Sequence, residues 1–139
     1  MRVTVEQIEQ AFDKYKDDFE KSLPKPSFGL IHTYRTSGEF TCIKWKNGTV
    51  RRPKISITDY FDWDQETIDI VVIHEMIHYY IAYYKIKDNE EHGEKFKELG
   101  NVFKEKYGLE IYDLMPAERI QKRREGAPKL AWILAKLFG

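Results

Sequence analysis

Ile68-Asp69-Ile70-Val71-Val72-Ile73-His74-Glu75-Met76-Ile77-His78-Tyr79-Tyr80-Ile81-Ala82-Tyr83-Tyr84 decides how this chain is read. No Gly or Pro interrupts Gln65 to Lys85, so the stretch predicts a helix. Either Asp62 or Asp64 can cap its start, with Gln65 or Thr67 in the first turn. Its apolar residues fall nearly all round, which predicts burial. Inside it lies His74-Glu75-Met76-Ile77-His78, an H-E-x-x-H pentapeptide. Residues four apart share a helix face, so both imidazoles can reach one ion. Glu75 is about 100° round from His74, within reach of a metal-bound water. Two neutral histidines and an open position describe half of a catalytic zinc site. The plainer alternative is two core histidines bonded to backbone carbonyls and a glutamate paired elsewhere. A metal compensates buried polar groups that would otherwise be costly.

A catalytic zinc takes three protein ligands and a water. Downstream, His92 and Glu98 are the candidates for the third. Asp88-Asn89-Glu90-Glu91 predicts a helix start, with Asp88 as cap and Glu91 three residues on. The helix that follows carries an apolar stripe at Phe96, Leu99 and Phe103. His92, four residues before Phe96, falls on that stripe and faces the core. Glu98 is about 200° round from Phe96 and sits among Glu94, Lys95 and Lys97, so it reads as a surface residue. His92 is therefore favoured, and a capping-turn histidine without metal is its bland reading. A metzincin would need Gly and His where Ile81 and Tyr84 stand, so that class is excluded. A gluzincin-like peptidase would use Glu98, whose spacing is tolerable but whose face is wrong.

His74-Glu75-Met76-Ile77-His78 followed by His92-Gly93 and Phe96 resembles the SprT-like metalloprotease family, which includes the Spartan-type proteases acting on DNA–protein crosslinks. The resemblance is close from Ile68 to Leu99 and extends weakly to Lys54–Asp59. It implies a zincin-like fold, one zinc per chain on His74, His78 and His92, and Glu75 as catalytic base. It also implies that Gly93 and Phe96 set the turn and pack the ligand-bearing helix. Many members carry a C-terminal zinc ribbon with paired cysteines. This chain has one cysteine, Cys42, so the ribbon's DNA association does not carry over.

Composition suits a minimal enzyme. At 139 residues and 42% hydrophobic, the chain reads as one domain, 1–139, able to bury a core. A single Cys fits a reducing cytoplasm, and Met1 to Glu6 is too polar for a signal peptide. No apolar run is long enough to span a bilayer. With 23 basic and 23 acidic residues, the overall field draws neither DNA nor anionic lipid strongly.

The order of elements predicts an α+β fold. A helix over Val5–Ser22 puts Ile8, Phe12, Tyr15 and Phe19 on one face, and Pro24 and Pro26 end it. Strands are expected over Phe28–Thr36, Glu39–Lys46 and Thr49–Thr58, in an antiparallel-rich sheet. Ser37-Gly38 and Asn47-Gly48 supply the turns. Pro53 favours an edge position for the third strand, where a substrate peptide could add as a further strand. After the H-E-x-x-H helix and the His92 helix come short helices from Pro116 and Pro128. The apolar end, Leu130–Phe138, is expected to dock on the core rather than on a membrane surface or partner.

Together these features predict a zinc metalloendopeptidase acting on protein or peptide substrates, with Glu75 as general base. Oxyanion donors available in the sequence are Tyr79, Tyr83, Tyr107, Tyr112 and His32. The alternative class is a non-hydrolytic DNA- or protein-binding module that keeps a structural zinc, against which Glu75 argues. Arg51-Arg52-Pro53-Lys54 and Lys122-Arg123-Arg124 are read as solvated faces first and weak DNA contacts second.

Overall fold

A computed structural model describes residues 2–111 of the chain. Its elements run α1 (Val5–Tyr15), a 3-10 turn (Lys16–Asp18), β1 (Ser27–Ile31), β2 (Gly38–Lys44), β3 (Val50–Thr58), α2 (Gln65–Tyr83) and α3 (Glu94–Tyr107). The fold is α+β, as the sequence predicts. The expected C-terminal helices, Tyr112 and the Lys122–Arg124 cluster lie outside the described residues.

α1 starts at a capping box, in which Thr4 and Gln7 satisfy each other's backbone N–H groups. It ends at Tyr15, well before Ser22. The chain leaves the helix there and carries Asp18 to the end of α3, where the carboxylate accepts from Lys106 Nζ at 2.5 Å and Tyr107 Oη at 2.6 Å. Phe19 remains buried, stacked on Tyr80 and tilted against Phe103. A tertiary contact outweighs a helical period that the sequence continues.

The sheet corrects two expectations. Its order is β1-β3-β2, with β1 parallel and β2 antiparallel to β3, so it is mixed rather than antiparallel-rich. The third strand is central, not an edge. Pro53 is accommodated because the β2–β3 register shifts between Thr41 and Ile43, and because β1 pairs with β3 only from Lys54 onward. Arg52, just before it, has a φ of 51°. This irregularity removes the need for a ladder donor at Pro53. Beyond it, Ile55, Ser56, Ile57 and Thr58 are all buried, the mark of a strand covered on both faces. The Asn47-Gly48 hairpin turn forms as expected, closed by Trp45 N–H to Thr49 O at 3.0 Å.

α2 is the hub, packed on α1, β2, β3 and α3. Asp64 is its cap and accepts from Thr67 N–H at 2.7 Å. Ile68, Val72, Ile73, Met76 and Ile77 are completely buried, each contributing roughly 1.5–3 kcal/mol. Buried Asp69 ties α2 to α1 by accepting from Tyr15 Oη at 2.7 Å, and within α2 it accepts from Gln65 Nε2 at 2.9 Å. No helix among the described residues is long and apolar enough to cross a membrane.

Candidate metal centre

From Thr67 to Tyr80 every residue of α2 is buried except His74 and His78. Over that stretch the helix is sealed by its neighbours and opened only at the two imidazoles. His92 meets them from the turn before α3. The structure differs from expectation here: α3 begins at Glu94, so His92 lies outside the helix and not on its stripe.

The three Nε2 atoms form a near-equilateral triangle. His74–His78 is 3.2 Å, His78–His92 is 3.0 Å and His74–His92 is 3.2 Å. Three ring nitrogens pointing at one spot cannot all be satisfied by one another, because each N–H or lone pair lies along its own ring axis. A tetrahedral ion with N ligands near 2.0–2.1 Å separates them by about 3.3 Å. The triangle thus fits a small divalent ion with one position left open. Among the described residues this is the group of His, Cys, Asp and Glu side chains placed to hold a metal. Glu98 is not in it: its side chain is 57% exposed and pairs with Lys95 on the surface of α3.

Phe96 forms the floor of the site. Its ring centre lies 4.8 Å from His74, 4.9 Å from His78 and 4.8 Å from His92. Being buried, it excludes water from behind the imidazoles. Burial and the neighbouring His92 push His78 down to about 4, against a smaller opposing pull from Glu91, so it stands neutral with a lone pair available.

The Glu75 side chain reaches toward β2. It is 6% exposed. Burial pushes its carboxyl up to about 8, helped by Glu39 and Glu91 and opposed by a hydrogen bond from the backbone N–H of Phe40. β2 can come this close because of Gly38. A Cβ there would lie 2.7 Å from Val71 Cγ1 and 2.9 Å from the carbonyl of Ser56. Sequence reading assigns Gly38 to a turn and misses this role. No period marks Glu39 and Phe40 as neighbours of Glu75 either.

The proposed oxyanion donors fare unevenly. Tyr79 Oη donates to the Pro24 carbonyl at 2.8 Å and Tyr107 Oη to Asp18, so both hydroxyls are engaged by other partners. His32 pairs with buried Asp59 at 2.8 Å. The Tyr83 ring packs against Tyr79 and Tyr84.

A family model for SprT-like proteins matches residues 8–114, from within α1 to beyond the end of α3. The chain belongs to the SprT-like family. Neither the curated proteins nor the solved structures contain a match to it. Membership in the SprT-like family associates the chain with metallopeptidase-like domains, and the histidine triad lies within the matched region.

Proposed function

We propose that this SprT-like chain is a zinc-dependent metalloendopeptidase. The observation that carries the reading is a triangle of three imidazole nitrogens beside a buried glutamate that is not one of its corners. A structural zinc site is closed by four protein ligands and needs no general base. Here the described residues offer three.

His74, His78 and His92 would hold the zinc, which supplies a Lewis acid and lowers the pKa of a water to about 7. Glu75 takes a proton from the attacking water as its oxygen bonds to the peptide carbonyl carbon. Burial raises the proton affinity of Glu75, and the positive charge of a bound zinc would favour the ionised form that accepts the proton. Glu75 then delivers the proton to the amine nitrogen as the C–N bond breaks. The Phe40 N–H keeps the carboxylate oriented between the two transfers. A substrate peptide would add to β2, the edge strand that borders Glu75, rather than to β3 as the position of Pro53 suggests.

Glu75→Gln tests this. The variant should bind one zinc per chain and lose roughly 10²–10⁴-fold in cleavage of a denatured protein. Cleavage at the wild-type rate would remove Glu75 from the mechanism. Loss of zinc would turn it into a structural support.

A further inference from the structure

His92 is the one member of the triad that no helix holds, and what holds it is visible. α3 opens at Gly93, which has no side chain to cap the first turn. The exposed donors of that turn are satisfied from upstream. Asp88 Oδ2 accepts from Lys95 N–H at 3.1 Å and from Phe96 N–H at 3.2 Å, while Asp88 Oδ1 accepts from Asn89 N–H at 2.9 Å. One carboxylate therefore joins the start of the turn to the start of the helix. The segment it closes contains His92. Gly93 has a φ of −85°, which any residue adopts, so glycine is not needed there for backbone conformation. It is needed for space: a Cβ would lie 2.0 Å from Asp88 Oδ1 and 2.5 Å from Asn89 Oδ1.

We infer that Asp88 is the positioning residue for the third metal ligand, with Gly93 as the gap that admits its carboxylate. The same bonds fix Phe96, the floor on which all three imidazoles rest. Loss of the Asp88 carboxylate frees the turn and lets the His92 corner of the triangle drift, while α2 keeps the other two in place.

This inference rests on the metal reading of the triad but not on proteolysis, so the test measures metal alone. Zinc affinity is read by competition with a chelating dye, and the visible spectrum of the cobalt(II)-loaded protein reports ligand geometry. Asp88→Ala should weaken zinc by roughly 10–100-fold, the range for residues that orient a ligand, and should shift the cobalt bands. Asp88→Asn, which keeps one acceptor oxygen, should recover part of both. Gly93→Ala, which expels the carboxylate by contact, should reproduce Asp88→Ala. Thr4→Ala removes a helix cap of similar kind from α1 and should leave zinc affinity unchanged. Wild-type affinity in Asp88→Ala, or equal weakening in Thr4→Ala, would overturn the assignment. Absence of zinc binding in the wild-type chain would instead sink the metal reading itself.

Discussion

α2 and the turn from Asp88 to Gly93 deliver nitrogens to one point, and they are held by different physics. In α2 the two imidazoles are four residues apart on a helix buried on nearly every side. Their separation is a property of helix geometry, and the apolar residues around them fix the helix. In the turn, His92 depends on three hydrogen bonds to one carboxylate and on one missing Cβ. The first arrangement is distributed over many side chains and tolerates change. The second is concentrated in two residues and does not.

The sharpest way to break this comparison is to remove the proposed ligands themselves. His78→Ala and His92→Ala should each abolish stoichiometric zinc, a loss beyond the roughly 10–100-fold expected of supporting residues. Glu98→Ala should keep it, which metal analysis of the purified proteins would show. Zinc retained in His92→Ala and lost in Glu98→Ala would move the third corner to α3. A smaller effect separates the two regions without mutation. Stripping metal with a chelator should raise hydrogen exchange at the Lys95 and Phe96 amides by roughly tenfold or more and leave the amides of Ile73 and Ile77 protected. Equal loss in both regions would mean that the metal holds α2 together as well.

The difference also explains what could be read from the chain in advance. That His74 and His78 share one face of a buried helix was legible because helical periodicity is a local property. His92 was legible as a residue, but its reason was not: the period from His92 to Phe96 suggested a helix that begins two residues too late to include it. Asp88 looked like an ordinary cap, and only the folded turn shows it reaching seven and eight residues ahead. The sheet followed the same rule. Asn47-Gly48 announced its hairpin, whereas the central place of β3 was masked by Pro53, because Pro53 sits at a bulge of β3 itself, between Arg51 and Lys54, where the ladder needs no donor. The early end of α1 was hidden too, since the pull on Asp18 comes from Lys106 and Tyr107 at the end of α3, far away in sequence.

The smallest effect concerns the exposed hairpin. Arg51, Arg52 and Lys54 lie on its surface, with the Arg51 guanidinium 4.7 Å from the Trp45 ring centre. With no net positive charge on the chain, any DNA binding should be weak and fall steeply with salt. Charge reversal at these three residues should reduce the slope of log affinity against log salt by about one unit per lost phosphate contact. Tight, salt-resistant binding would show that DNA recognition does not depend on this surface.

The strand order carries a consequence for how the chain assembles itself. β3 lies between β1 and β2 although it is made after both. A hairpin of β2 and β3 needs only a short turn and forms in roughly 1–10 μs. β1 must wait, because its partner is 27 positions away, as the pairing of Ser27 with Lys54 shows. Until then β1 and β2 are free to pair wrongly with each other, and that pairing would shut β3 out of the sheet. We expect Phe40→Leu to slow folding more than Leu30→Ala for the same loss of stability, as kinetic φ-values would report. The opposite ranking would place β1 in the nucleus and make the edge strand beside Glu75 the last to arrive.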